Sequence, residues 1–101
     1  MNNEFTTDDV KFLQMAAQLS EENVDSGGGP FGAVIVKDGK VLATGTNKVT
    51  IINDPTAHAE VMAIRDACAK LNTFSLRGAT IYSSCEPCPM CLSALYWAGV
   101  D

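Results

Sequence analysis

Histidine occurs only once in this chain, at His58, and basic residues are few. Seven lysines and arginines stand against twelve aspartates and glutamates, which gives a formal net charge of −5. The basic residues are also scattered, so the chain offers no positive stripe that could displace the counterions of a nucleic acid. We therefore expect a small uncharged or cationic substrate, and no nucleic-acid partner.

Long apolar segments are missing as well. A membrane-spanning helix needs about 20 apolar residues, and a run such as Ala33 to Val36 is far too short, so no membrane association is expected. The N-terminal residues Met1 to Glu4 lack the basic region and the apolar stretch of a secretory signal. These absences predict a cytoplasmic protein whose four cysteines stay reduced.

The apolar pattern of the first half predicts a helix and a hairpin. The helix is expected from Thr6 to Asn23, and its buried side is expected to carry Val10, Leu13, Ala17 and Val24. Strands at 33–37 and 41–46 are predicted to pair antiparallel, because Asp38-Gly39 between them is a strong signal for a two-residue turn. The segment Gly27-Gly28-Gly29-Pro30 lacks the Lys and Ser/Thr of a phosphate-binding loop, which indicates a flexible connector.

The second half predicts helix, strand and helix. Asn53 and Pro55 suit the start of a helix that runs to Leu71, with a buried stripe of Val61, Ile64, Cys68 and Leu71. A third strand at 79–83 is expected to run parallel to the first, after a right-handed crossover through this helix. The last helix should begin around Cys88 and end at Ala98, since Gly99 is a typical helix stop.

Four chemically active residues stand at the starts of the two later helices. Cys88 and Cys91 are three residues apart, so they share one helix face and can bind one metal ion together. His58 would supply a third ligand, whereas Glu60, two residues further on, lies on another side of its helix and is expected to act as an outer-shell base. Three protein ligands and one open position are typical of a catalytic zinc site, in which zinc lowers the pKa of its water to about 7.

Other interpretations of the cysteines are weaker. A Cys-x-x-Cys pair can be a redox centre, but the His-x-Glu pattern upstream favours a metal site. An iron–sulfur run beginning with Cys85 would need a fourth cysteine where Leu95 stands. Cys85 is therefore interpreted as a strand-end residue near the site, and Cys68 as a small core residue. Trp97 suits either the core or a roof over an aromatic ligand.

The His-x-Glu and Pro-Cys-x-x-Cys patterns resemble the signature of zinc deaminases that act on nucleobases. Over essentially its whole length the chain resembles the cytidine deaminase-like (CMP/dCMP-type) superfamily, through residues 29–36, 53–60, 84–92 and 96–98. The tRNA adenosine deaminases share the stretch 54–60 and the Glu-Pro-Cys-x-Met-Cys pattern. Bacterial guanine deaminases are favoured by Pro30-Phe31-Gly32, Pro89 and Tyr96-Trp97.

This resemblance implies a three-layer α/β/α fold whose mixed sheet has an antiparallel hairpin followed by parallel strands. It implies that Zn²⁺ is bound by His58, Cys88 and Cys91, and that Glu60 carries protons to the leaving ammonia. Base contacts are implied for the side chains of Asn47, Phe31 and Trp97 and for the backbone at Ala59 and Ser84. The implied reaction converts guanine to xanthine and ammonia, with a tRNA adenosine or a cytidine-type nucleoside as the alternative substrate.

The resemblance also bears on the extent of the domain. Residues 1–101 are expected to form a single CMP/dCMP-type deaminase domain that matches the N-terminal two-thirds of the family domain and lacks its last strands and helices. Such a truncated chain should keep its zinc site more readily than its turnover. A homodimer is expected, because similar guanine deaminases close the active site by exchanging a C-terminal segment. A non-catalytic zinc-binding fragment is the alternative of another class.

Overall fold

The computed structural model describes residues 6–100. In this part of the chain four helices and three strands follow one another as α1 (Thr7–Asp25), β1 (Gly32–Lys37), β2 (Lys40–Thr46), α2 (Val49–Ile52), α3 (Ala59–Leu71), β3 (Ala79–Ser83) and α4 (Pro89–Ala98). The predicted α/β class is confirmed. None of the helices within residues 6–100 has the combined length and apolar character needed to cross a membrane.

Strand β1 lies at the centre of the molecule and is covered on both faces. Ala33 and Ile35 pack into a cluster with α3, while Val34 and Val36 pack into a second cluster with α1. Successive strand residues point to opposite faces of a sheet, so these two clusters place α1 and α3 on opposite sides of the strands. The result is the expected three-layer α/β/α arrangement.

The hairpin forms as predicted, but the third strand runs the other way. Asp38 and Gly39 both have positive φ, 54° and 75°, as a tight turn between twisted strands requires. The sheet order is β2-β1-β3, and β3 pairs antiparallel with β1, with Ile35 opposite Ile81. The predicted parallel pairing is therefore wrong, and every pairing described in residues 6–100 is antiparallel. The crossover through α3 starts from β2, so β3 takes the direction of β2 while β1 lies between them.

Helix α1 forms where predicted, from its cap at Thr6 to Asp25, but it buries a different face than expected. Thr6 is the N-cap, and its side chain and that of Asp9 satisfy each other's backbone amides in a capping box. Phe12 and Ala16 are buried, whereas Val10 and Val24 are about half exposed, at 47% and 48%. The predicted apolar side was displaced because the large ring of Phe12 takes the position against the sheet.

Helix α3 begins later than predicted because the segment before it has its own structure. The short helix α2 ends at Ile52, its C-cap Asn53 adopts a left-handed backbone with φ of 55°, and α3 starts only at Ala59. The expected stripe is correct only in part: Ile64 and Cys68 pack against the core, whereas Val61 is only partly buried and Leu71 is exposed. The residues that face the sheet are small, namely Ala59, Ala63 and Ala67, each fully buried. Helix α4 matches its prediction, with Gly99 in the left-handed region at its end.

The first turns of α3 lie directly on β2 at Gly45. A Cβ atom at Gly45 would lie 2.2 Å from the Ala59 carbonyl oxygen and 2.5 Å from the Ala63 backbone nitrogen. Both distances are well inside van der Waals contact, so helix and strand could not keep this spacing with any side chain here. The glycine thus determines how closely the start of α3 approaches the sheet.

We expect Gly45→Ala to destabilise the fold by about 1–3 kcal/mol, because the added methyl group overpacks a closed contact. Zinc affinity should fall as well, since His58 immediately precedes the displaced helix. Urea denaturation and zinc titration of the purified variant measure the two effects. Thr44→Ala, at an exposed position of the same strand, is the control. Equal stability of the two variants would show that the α3–β2 spacing is not set at Gly45.

Candidate metal centre and cavity

The metal-ligating residues lie at two helix starts. His58 is the N-cap of α3 and Cys88 is the N-cap of α4, and both have extended backbone angles. Cys91 follows in the first turn of α4 and is fully buried. Neither N-cap side chain makes a capping hydrogen bond, so both are available for other partners. The predicted convergence of two helix N-termini is therefore present.

The three side chains come together within bonding reach of one ion. His58 Nδ1 lies 3.5 Å from both Cys88 Sγ and Cys91 Sγ, and the two sulfurs are 3.6 Å apart. Tetrahedral zinc with its usual bond lengths to sulfur and nitrogen separates such ligand atoms by about 3.5–3.8 Å. The geometry and the donor set of one imidazole and two thiols therefore fit zinc. Among residues 6–100 this trio forms a possible metal-binding cluster, and Glu60 is not part of it.

The two thiols have different proton affinities. The backbone amide of Cys91 faces the Cys88 sulfur and lowers the pKa of the Cys88 thiol. The contact is not a full capping hydrogen bond. Burial has the opposite effect on Cys91, and together with the neighbouring Cys88 and the charge of Glu60 it raises the pKa of that thiol to about 12. Zinc binds thiolates, so loading of the site must release the proton of Cys91.

Glu60 lies beside the centre in the second position of α3. Its side chain is only 5% exposed and lines the cavity next to His58. Its negative charge is one of the causes that raise the pKa of the Cys91 and Cys85 thiols. The role of Glu60 as an outer-shell base stays a prediction.

A polar turn holds the segment that leads into His58. The Asp54 carboxylate accepts hydrogen bonds from the Thr56 amide at 2.8 Å and from the Thr56 hydroxyl at 2.7 Å. Arg65 of α3 donates to the same carboxylate at 3.3 Å. These contacts hold the pKa of Asp54 below its usual value. The turn thereby ties the approach to His58 to the second turn of the helix that follows it.

A cavity of about 180 Å³ opens beside the centre. Its lining consists of Phe31, Asn47, His58, Ala59, Glu60, Cys85, Glu86 and Cys88. An apolar cavity of about 150 Å³ accommodates benzene, and drug-sized ligands need roughly 300 Å³ or more. The volume is therefore of the order that a single small planar molecule requires.

Three of the five residues predicted to contact a base line this cavity, namely Phe31, Asn47 and Ala59. Ser84 lies outside the lining, and its Oγ accepts a hydrogen bond from the Gly32 amide at 3.0 Å. Trp97 is also outside the lining and is 80% exposed, so it is not a core residue, and its contact with a base stays a prediction. Cys85 was expected near the site, but the lining role of Glu86 was missed. The only signal for Glu86 was its position directly before Pro87 and Cys88.

The sequence of this chain matches a family model and several curated proteins. Residues 6–101 match the family model of the cytidine and deoxycytidylate deaminase zinc-binding region. The chain is 61% identical over 88 residues to guanine deaminase of Bacillus subtilis (strain 168), an alignment that covers 86% of this chain and 56% of that one. It is 41% identical over 90 residues to the tRNA-specific adenosine deaminase of Aquifex aeolicus (strain VF5), covering 89% and 60%.

The X-ray structure of the Bacillus subtilis guanine deaminase superimposes with a TM-score of 0.87 and 56% identity. The match covers 97% of this chain and 59% of that chain. The chain thus spans somewhat more than half the length of the curated relatives it matches. The fold and the zinc-binding region are common to these proteins.

Replacing any one of the three ligands should abolish stoichiometric zinc binding. We expect His58→Ala, Cys88→Ser and Cys91→Ser each to lower zinc affinity by more than the roughly 10–100-fold that changes around a metal site cost. Metal content after dialysis and competition with a chromogenic chelator provide the measurement. Cys85→Ser, which removes an exposed thiol from the same cavity, is the matched control and should keep its zinc. Undiminished affinity in Cys91→Ser would rule out this ligand set.

Proposed function

Because this chain belongs to the family of the cytidine and deoxycytidylate deaminase zinc-binding region, we propose that it is a zinc-dependent hydrolytic deaminase that converts guanine to xanthine and ammonia. We choose guanine as the substrate because the sequence of this chain is much more similar to a guanine deaminase, at 61% identity, than to a tRNA-specific adenosine deaminase, at 41%. The guanine deaminase of Bacillus subtilis is longer than this chain, and the alignment covers 56% of its length.

The residues of the centre have separate roles in this reaction. His58, Cys88 and Cys91 would hold zinc, which when bound supplies an activated water for attack on the carbon that carries the amino group. Glu60 would accept a proton at its carboxylate and pass it to the departing nitrogen. The burial of Glu60 supports this role, because a carboxylate shielded from bulk water keeps the proton within the site.

Recognition of the base would fall to the cavity wall. The Asn47 amide offers both a donor and an acceptor to the edge of guanine, and the Phe31 ring can stack on its face. Ala59 would contribute its backbone. The contacts of Ser84 and Trp97 rest on the resemblance of the sequence alone. The small cavity favours a free base over a larger nucleoside.

A tRNA adenosine deaminase is the second candidate, because several such enzymes are also similar to this chain. The net charge of −5 argues against it, since binding of an RNA needs a positive surface. The third possibility is a zinc-binding protein without catalysis, which differs from both enzymes because it predicts that no base binds.

The zinc-loaded chain should bind guanine more tightly than adenine or cytosine, and any ammonia it releases should come preferentially from guanine. Calorimetry and an ammonia assay measure the two properties on one sample. Glu60→Gln should keep zinc and guanine binding but lose at least about 100-fold in any turnover, the usual contribution of a general acid–base group. Preference for an anticodon stem-loop RNA would support the second candidate. Failure to bind any base would support the non-catalytic alternative.

We also propose that the described elements belong to one deaminase domain, that the protein works in the cytoplasm and that it forms a homodimer. Reduced, metal-binding thiols suit the cytoplasm. The dimer is supported by the exposed face of α4, where Leu92, Tyr96 and Trp97 are 56%, 79% and 80% exposed. Large apolar side chains grouped in this way are typical of protein interfaces.

Analytical ultracentrifugation of the zinc-loaded chain should therefore give the mass of a dimer. Replacing both Tyr96 and Trp97 by Ser should shift the equilibrium to monomer, because these side chains carry most of the apolar area of the face. Phe74→Ser is the control, since Phe74 is 88% exposed but is not part of α4. A monomer at high protein concentration would contradict the proposed dimer.

A further inference from the structure

Asn23 is a buried polar residue in the last turns of α1, with only 4% of its surface exposed. Its amide nitrogen donates to the carbonyl oxygens of Gly29 and Asn47, both at 2.8 Å. Its amide oxygen accepts from Lys48 Nζ at 3.0 Å. Lysine is a donor only, so the ammonium group fixes which end of the amide faces the two carbonyls. Asn23 thus connects two chain segments that are distant in sequence.

The glycines between α1 and β1 are packed against this side chain. A Cβ atom at Gly28 would lie 2.3 Å from Asn23 Nδ2, and the Gly28 amide donates to the Asn23 carbonyl oxygen at 2.8 Å. A Cβ atom at Gly29 would lie 3.1 Å from the Asn47 side chain. The interpretation of this segment as a flexible connector is therefore wrong. Its glycines let the backbone approach Asn23 and Asn47 closely.

Both segments that Asn23 connects carry a wall of the cavity. Phe31 donates its amide to the Gly29 carbonyl at 2.9 Å, so the bond from Asn23 to Gly29 orders the residues just before Phe31. The backbone amide of Asn47 in turn donates to the Phe31 carbonyl at 3.3 Å. The side-chain oxygen Oδ1 of Asn47 accepts from the Val49 backbone amide at 3.1 Å. The backbone and the side chain of Asn47 are thereby held from several directions.

We infer that Asn23 is a positioning residue for base recognition: by joining the Gly29 and Asn47 carbonyls it fixes the Phe31 ring and the Asn47 amide on the cavity wall. The inference rests on the proposed function for the identity of the ligand, but the arrangement itself does not. The zinc ligands lie on α3 and α4 and receive no hydrogen bond from Asn23, so base binding and zinc binding should respond differently to its loss.

The test compares Asn23→Ala and Asn23→Asp with Val24→Ala, an exposed neighbour on the same helix. The Asp variant keeps an acceptor for Lys48 but loses both donors, so it should behave like the Ala variant if the carbonyl bonds matter. Three properties are measured on the zinc-loaded chains: zinc affinity, the dissociation constant for guanine, and amide hydrogen exchange by residue. A variant that retains guanine turnover is also compared in KM and in kcat.

We expect zinc affinity within about twofold of the unmodified chain and a dissociation constant or KM for guanine raised roughly 10-fold, with a smaller change in kcat. Exchange should accelerate at the amides of Gly28, Phe31 and Val49 and stay unchanged in α3 and α4. Uniform acceleration along the whole chain would reduce Asn23 to a general stability role and overturn the inference. An Asp variant with unchanged guanine binding would overturn it too, because only the Lys48 contact would then matter.

Gly28→Ala tests the same contact from the other side and covers the case in which the Asn23 variants fold poorly. Its methyl group should displace the Asn23 side-chain amide, so Gly28→Ala alone should weaken guanine binding and leave zinc affinity within about twofold. If Asn23→Ala also folds, the loss of guanine affinity in the Gly28→Ala/Asn23→Ala double variant should be smaller than the sum of the two single losses. Additive effects would contradict the inference. If the unmodified chain binds no guanine, the proposed function fails, while local acceleration of exchange would still support the positioning of Phe31 and Asn47 by Asn23.

Discussion

The backbone of α3 packs directly on strand β2 at Gly45, and this contact sets how close the start of the helix lies to the sheet. The helix lies on the sheet through a glycine and a row of alanines, at a spacing that leaves no room for a side chain at Gly45. This short distance brings His58 and Glu60, at the start of the helix, to the end of β2 where Asn47 follows. The metal centre and the cavity wall are neighbours because helix and sheet are so close.

The ligands occupy positions that other helices use for stability. Ser, Thr, Asp or Asn at an N-cap satisfies a free backbone amide, as Thr6 does in α1. In α3 and α4 the N-caps are a histidine and a cysteine whose side chains point to each other. The free amides of the first turn instead favour negative charge beside the helix, and the lowered pKa of the Cys88 thiol follows from one of them. The starts of α3 and α4 therefore lack a stabilising side-chain cap, but they favour negatively charged metal ligands such as a thiolate.

Spacing in the sequence was sufficient to predict the centre but not everything around it. Residues three apart in a first turn share a face, so Cys88 and Cys91 could be paired from the sequence, and the two-residue separation of His58 and Glu60 assigned them different roles. The hairpin followed from Asp38-Gly39 because its backbone requirement is local. The direction of β3, in contrast, depends on which strand the crossover leaves, and apolar periodicity carries no such information.

Packing around small residues was the other source of error. Periodicity weights large apolar residues, so it selected Val61 and Leu71 and overlooked the alanines that actually face the sheet. The glycines after α1 suggested freedom, whereas hydrogen bonds of Asn23 with Gly28 and Gly29 hold them in place. Two backbones approach closely where both segments carry small side chains or none. The apolar periodicity of one segment alone does not reveal such a contact.

The positions of His58 and Cys88 also have a consequence for the chain as a polymer. They are 30 residues apart, and the segment between them contains both α3 and β3. A cation shared by the two side chains closes this segment into a ring, as a covalent cross-link would, and so removes conformational freedom from the unfolded chain. A bound cation would therefore give the molecule a reversible cross-link between the start of α3 and the start of α4.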